Sequence, residues 1–293
     1  MRLQYRVSQE EEGRALRDIL RRSMGLSASL VKAVKRLPDG ILLDGAPAHT
    51  NAAVRAGQLV SVSAGPAAVR TEPGGPAPPM PPVLYEDDAL LVVNKPAGMA
   101  VHPTAGIPCG TLYDAAMAYL DGADSFCPVS RLDRHTSGVL CAAKNRLCAQ
   151  RLSKQMECGV MGRVYLAVLT GGGLPDEGTV DAPIGLADGE GLRRTVRPDG
   201  RRAVTHYSIL QRTPGRMLAQ LRLETGRTHQ IRVHMAYLGH PVAGDFLYGE
   251  EESGHPGFAL HAYSIRLLHP VTGREMELTA EPPPSFFAFL QQE

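Results

Sequence analysis

Apolar positions in the first sixty residues recur twice at helical spacing and then twice at strand spacing. Leu16, Ile19 and Leu20 share one face, with Arg14, Arg17, Arg21 and Arg22 around it, which predicts an amphipathic helix. A second helix is predicted after Ser27, an N-cap residue type, through Leu30, Val31 and Val34, with Lys32, Lys35 and Arg36 alongside. Two short strands follow: Ile41-Leu42-Leu43, turned by Asp44-Gly45, and Leu59-Val60-Ser61-Val62, after a turn at Gly57. Between residues 64 and 82 the periodicity gives way to proline and glycine, the composition of a semi-extended linker.

From Val83 onward short β-prone runs dominate, with strands predicted at 90–93, 164–169, 217–223, 230–233 and 275–278 and one helix between Asn145 and Cys158. In the strand reading of the fourth run, Gln230, Arg232 and His234 share one face while Ile231 and Val233 turn into the core. Strands that recur without regular helical crossovers predict an α+β class, a mixed and mainly antiparallel sheet with helices packed on it. The chain is therefore divided into a small unit at 1–63, a linker at 64–82 and a larger unit at 83–293.

Composition changes this picture little. The 293 residues suit one large domain plus a small one, and the 43% hydrophobic content supports ordinary globular folding. The 31 basic and 30 acidic side chains nearly cancel, which argues against a histone-like nucleic-acid binder. Locally the balance differs: residues 1–62 carry ten Arg plus Lys against six Asp plus Glu. Five cysteines without a CxxC pair suggest neither a disulfide framework nor a zinc site, and no run approaches the length of a bilayer span. A cytoplasmic monomer away from membranes is expected. His229, His234 and His240 lack any recognised metal spacing, and no phosphate loop or dinucleotide fingerprint is present, so no metal and no organic cofactor are expected.

The densest chemistry lies in Ser130-Arg131-Leu132-Asp133-Arg134-His135-Thr136-Ser137-Gly138. One carboxylate among guanidinium groups is expected to be ionised. Thr136 and Ser137 can hold a turn through local backbone hydrogen bonds, and Gly138 permits angles that other residues resist. Alone, the segment favours a turn aspartate bridged to a surface arginine over a catalytic one.

Companion segments decide between these readings. They are Tyr85 to Gly98 with Val101-His102-Pro103, Arg163-Val164-Tyr165-Leu166-Ala167, Leu223 to His234 with Gly239 to Asp245, and Leu260-His261-Ala262 with His269 to Gly273. Together with the aspartate motif, and in order from about Val83 to Phe287, they resemble the RluA family of RNA pseudouridine synthases. The resemblance implies a mixed sheet split around a catalytic cleft. It makes Asp133 the aspartate on which the reaction depends, through cleavage of the C1′–N1 glycosidic bond of a uridine and rejoining of the base through C5. It places Tyr165 against a flipped uracil and as a candidate base for the C5 proton, and it pairs Arg232 with Asp133. Arg131, Arg227, His229, Gln230 and Leu260 are implied to bind substrate.

The small unit, through Leu16-Arg17-Asp18, Leu26 to Ser29, Leu43-Asp44-Gly45 and Val54 to Val60, resembles an S4-like RNA-binding domain. That favours ribosomal RNA over transfer RNA as the partner. Arg193 to Arg202, five arginines and one aspartate in ten residues, is a candidate phosphate contact or a solvated loop. Ser130, His135 and Arg163 depart from the usual family residues and bear on which RNA context is recognised. A non-catalytic RNA-binding or ribosome-assembly factor on the same fold is the alternative, although such a role has no need of the acid at Asp133.

Overall fold

The computed structural model describes residues 2–63, 75–120, 126–188, 191, 193–250 and 257–291. Most of the expected linker, residues 64–74, lies outside the described residues.

The first sixty residues build a four-stranded antiparallel sheet with helical turns packed on it. In chain order the elements are β1 (Arg2–Arg6), α1 (Leu16–Asp18), α2 (Ala28–Val34), β2 (Ile41–Leu43), β3 (Ala46–Pro47) and β4 (Leu59–Ser63). The strand order is β1-β4-β2-β3. Ser27 caps α2, its side chain accepting from Leu30 N at 3.2 Å, as its residue type predicts. Asp44 and Gly45 both take positive φ, 48° and 84°, the backbone that a two-residue hairpin between β2 and β3 requires. Strand β1 was not legible in the sequence, because its five residues alternate only between exposed and half-buried and bury no full apolar face.

The second sheet has ten strands. Its elements begin with β5 (Val83–Glu86), β6 (Leu90–Lys95), α3 (Leu112–Tyr119), β7 (Cys127–Pro128), β8 (Ser137–Ala143) and α4 (Arg146–Glu157). They continue with β9 (Gly162–Thr170), β10 (Glu177–Asp181), a small hairpin of β11 (Ile184–Leu186) and β12 (Arg194–Val196), β13 (Val204–Thr213) and β14 (Arg216–Leu223). The chain ends with α5 (Gln230–Tyr237), β15 (Leu260–Leu268), β16 (Glu275–Thr279) and α6 (Pro284–Ala288). The order β10-β13-β14-β9-β15-β8-β6-β5 is antiparallel throughout except where β15 meets β8.

That exception divides the sheet. Only His261 and Ala262 of β15 pair with β8, at Ser137 and Gly138, while Ser264 to Leu268 pair with β16. Gly138 sits at the junction with φ of 106°, and a Cβ there would collide with the Ala262 carbonyl. The freedom expected of this glycine is thus used for close strand approach.

Alternation along the central strands feeds two cores. Leu91, Val93, Leu140, Ala142, Tyr165 and Ala167 enter one cluster, and Leu90, Val92, Val139, Cys141 and Ala143 enter another that α4 covers with Cys148 and Leu152. All seven residues of β8 are buried, as a central strand covered on both faces must be. Helix α4 also sends Leu147 into the core of the N-terminal sheet, and Gln150 bonds Ser27 N and Gly25 O at 2.8 and 2.7 Å.

One expectation is corrected. Residues 230–233 are not a strand but the start of α5, whose first six residues are all buried. A segment buried on every side shows no clean period, so alternation of Ile231 and Val233 misled. Among the described residues no helix is long and apolar enough to cross a membrane.

Candidate active site

Asp133 stands in the turn that delivers the chain into β8. Thr136 N donates to the Asp133 carbonyl at 3.1 Å, and Leu132 is buried in the core beside it. The Ser137 hydroxyl does not hold this turn. It pairs with His261 Nδ1 at 2.8 Å inside the sheet.

Neither arginine neighbour in sequence pairs with Asp133 among the described residues. Arg134 Nε donates to Gly98 O at 2.9 Å, and Arg131 is exposed without a side-chain partner among the described residues. The guanidinium that meets Asp133 arrives from 99 residues away: Arg232 Nη1 donates to Asp133 Oδ2 at 3.2 Å. The carboxylate itself remains 27% exposed.

Arg232 is held more tightly by a residue that the sequence reading passed over. Asp245, wholly buried, accepts from Arg232 Nε at 2.6 Å and Nη2 at 2.8 Å, while its Oδ1 also accepts from the backbone N–H groups of Leu247 and Tyr248. Phe258 lies under the guanidinium, 4.2 Å from carbon to ring centroid, with Tyr248 at 5.0 Å. Burial opposes the charge on Arg232, but the hydrogen bonds and charges of Asp245 and Asp133 outweigh it and raise its pKa above the ordinary guanidinium value. A bidentate fork through Nε and Nη2 fixes the plane of the group and leaves Nη1 for Asp133. The signal available in sequence was Gly244-Asp245, quoted as a trailing motif without a role.

Lys95 supports the same turn from below. Its wholly buried Nζ donates to the carbonyls of Pro96, Met99 and Arg134 at 2.8, 2.9 and 3.1 Å. Burial pushes its pKa down to about 7, against the pull of Asp133.

His229 precedes α5 in the left-handed region, φ 58°. Its Nδ1 meets the Tyr248 hydroxyl at 2.8 Å, and that hydroxyl accepts from Arg194 N at 2.9 Å. The other ring nitrogen, Nε2, lies 4.0 Å from Asp133 Oδ1, beyond hydrogen-bond range. Burial lowers the His229 pKa, and Arg232 and Arg194 lower it further against Asp133 and Asp245, so the ring is neutral near pH 7.

The remaining expected residues divide into two groups. Tyr165 and Leu260 are buried in the apolar cluster that also holds Leu132 and Ile231, below the turn. Gln230 is buried with its amide consumed internally. Its Oε1 accepts from Thr225 Oγ1 and Arg227 N, and its Nε2 donates to Val204 O and Thr205 Oγ1. Arg227 Nε is bonded to Arg202 O. Gln230 thus braces the loop before α5 and offers a ligand little, whereas half-buried Arg227 keeps its two Nη groups without a partner among the described residues. His234 and His240 serve separate partners, Thr205 with Ala182 and Thr170 respectively. In the basic segment, Arg197 is held by Asp188 and Asp199, and Arg202 by Glu224.

What the arrangement offers is one carboxylate at the surface, clamped to a buried cation over an apolar floor, beside a neutral imidazole. It can act as a nucleophile or as a base toward a ligand that approaches from solvent.

The profile of the family described as RNA pseudouridylate synthase matches residues 89–237. The chain is 41% identical over 261 residues to ribosomal large subunit pseudouridine synthase D of Xanthomonas campestris pv. campestris, an alignment taking in 83% of this chain and 77% of that protein. It is 44% identical over 208 residues to the uncharacterised RNA pseudouridine synthase YlyB of Bacillus subtilis, 69% of each chain. Among solved structures, human RNA pseudouridylate synthase domain containing 1 superposes with a TM-score of 0.60 at 28% identity, covering 71% of this chain and 86% of that one.

Proposed function

The chain belongs to the RNA pseudouridylate synthase family, an isomerase family that converts uridine to pseudouridine in RNA, and we propose that Asp133 is the carboxylate on which its reaction depends. The observation that carries this is the ion pair of Asp133 with Arg232, a cation already locked by Asp245. A carboxylate so held keeps one defined position while part of its surface stays open to a ligand. Positioning of this kind supplies much of a catalytic rate, because a displacement of about 1 Å can cost about a hundredfold.

The target uridine enters flipped out of its stack, and losses on extrusion are offset by contact with the apolar floor that Tyr165 and Leu260 contribute. Cleavage at C1′–N1 and rejoining at C5 leave one proton to be removed from C5. Tyr165 is assigned that proton, Arg232 the positioning of Asp133, and Arg131 and His229 contact with the RNA. Gln230 and Arg227 position the loop before α5. The substrate is ribosomal RNA, a reading supported by the ribosomal large subunit named for relatives in Xanthomonas and Salmonella. The unit at 1–63, with its basic helices and small sheet, serves as an S4-like tether, and the enzyme acts as a monomer.

The test is release of tritium from RNA labelled at C5 of uridine. Asp133→Asn abolishes release while RNA affinity stays within about twofold, since a phosphate-dominated interface does not depend on one carboxylate. Retained release by Asp133→Asn removes the assignment.

A further inference from the structure

The chain has six phenylalanines and no tryptophan. One of them, Phe246, is 52% exposed at the rim of the site. Its place is fixed from both sides in sequence: Asp245 before it is tied to Arg232, and Leu247 and Tyr248 after it donate backbone N–H groups to the same carboxylate. The Arg232 guanidinium carbon lies 6.0 Å from its ring centroid.

The ring that backs Phe246 is His135, two residues past Asp133. The two rings meet edge to face, centroids 5.7 Å apart at 83°. His135 is itself wedged against Phe258 at 5.9 Å, and it presses on Gly257, where φ is 101° and a Cβ would strike the imidazole. Neither ring nitrogen has a hydrogen-bond partner among the described residues, and Nδ1 is buried. Burial, together with Arg134, Lys95 and Arg232, lowers the His135 pKa, so the ring is neutral at pH 7. A rigid pair of rings, one of them more than half open, thus stands next to the Asp133–Arg232 pair. Nothing in the proposed chemistry uses it.

We propose that Phe246, backed by His135, is a stacking platform for an unpaired nucleobase that flanks the target uridine. The ligand class follows from the surroundings. The family acts on RNA, the platform adjoins the residues assigned to the reacting uridine, and every base offers an aromatic face irrespective of its hydrogen-bonding edge. The inference rests on Asp133 being the reacting carboxylate, since that fixes the platform beside the target.

The absence of tryptophan makes a direct test available in the full chain. Phe246→Trp places a single fluorophore on the platform, and Phe287→Trp, at a 40% exposed phenylalanine of α6, provides the control. The titrant is total RNA from cells lacking the protein. Stacking quenches emission of the Phe246→Trp protein and not that of the Phe287→Trp protein. In tritium release, Phe246→Leu, which keeps apolar bulk without an aromatic face, raises KM for the same RNA about tenfold with kcat within about twofold, as loss of one stacked base requires, whereas Phe246→Trp keeps both near wild type.

Unquenched emission at position 246, or an unchanged KM for Phe246→Leu, overturns the platform. So does a loss that falls on kcat alone. Repeating the titration in the Asp133→Asn background separates the two assignments. Retained tritium release there removes the role of Asp133 and leaves the quenching result standing, while absent quenching with abolished release removes only the platform.

Discussion

Replacing Asp245 by asparagine removes the charge that makes a buried arginine tolerable. Arg232 is 4% exposed and Asp245 not at all, joined by two hydrogen bonds of 2.6 and 2.8 Å. In Asp245→Asn the amide oxygen can still accept from Nη2, but the amide nitrogen faces Nε, donor against donor. The guanidinium is left with Asp133 at 3.2 Å as its sole anionic partner among the described residues. Breaking a buried pair on one side costs about 3–5 kcal/mol, because the surviving charge stays desolvated. At about 2–4 °C per kcal/mol for a unit of this size, the melting temperature falls by about 10 °C.

Turnover falls further than stability alone explains. A guanidinium freed from its fork draws Asp133 with it, and kcat drops by about a hundredfold with KM for RNA little changed. The assay is thermal unfolding beside single-turnover tritium release at a temperature where the variant is fully folded. The double variant Arg232→Met/Asp245→Leu separates the two effects. Removing both charges returns stability to within about 1–2 kcal/mol of wild type, whereas activity stays lost. If Asp245→Asn melts within 2 °C of wild type, about the effect of 1 kcal/mol or less, with unchanged turnover, the clamp is not what positions Asp133.

Two further predictions concern the turn. Folding lowers the Lys95 pKa to about 7, so between there and the ordinary lysine range the unfolded chain holds a proton the folded one lacks. Stability contributed at this residue is therefore least below pH 7 and rises with pH by up to about 1.4 kcal/mol per unit, so the wild type should gain on Lys95→Met between pH 7 and 9 in urea unfolding. A flat difference across that range counts against a buried, titrating lysine. Gly138→Ala combines a φ of 106° with a collision at Ala262 O and should cost about 3 kcal/mol or more. Near wild-type melting of Gly138→Ala contradicts the close approach of β8 and β15.

Four strands of the large sheet, β6, β9, β14 and β16, were readable because their apolar patterning survives burial. Tyr165 to Leu169 sends odd residues to one core and even residues to another, and Ser27 and Asn145 announce their helices by hydroxyl and amide caps. Helix α5 was not readable. Gln230 to Met235 are buried on all sides, and the turn into the helix depends on the left-handed His229 and on hydrogen bonds of the Gln230 amide to Val204 and Thr205, 26 and 25 residues earlier, as well as to nearby Thr225 and Arg227. The motif around Asp133 marked the acid, and only the resemblance carried by the companion segments pointed to Arg232 as its partner. Arg134, adjacent in sequence, bonds Gly98 O instead, whereas the guanidinium that meets the carboxylate lies on a helix 99 residues later.

By itself the sequence determined several strands and helix caps and singled out Asp133 as the candidate carboxylate, since periodicity, caps and local motifs act over a few residues. Tertiary structure decided who surrounds that carboxylate. The fork of Asp245 on Arg232, the carbonyl cage of Lys95 and the seating of Phe246 on His135 each join groups far apart in the chain. Their energies come from desolvation and geometry that exist only once the sheet has closed.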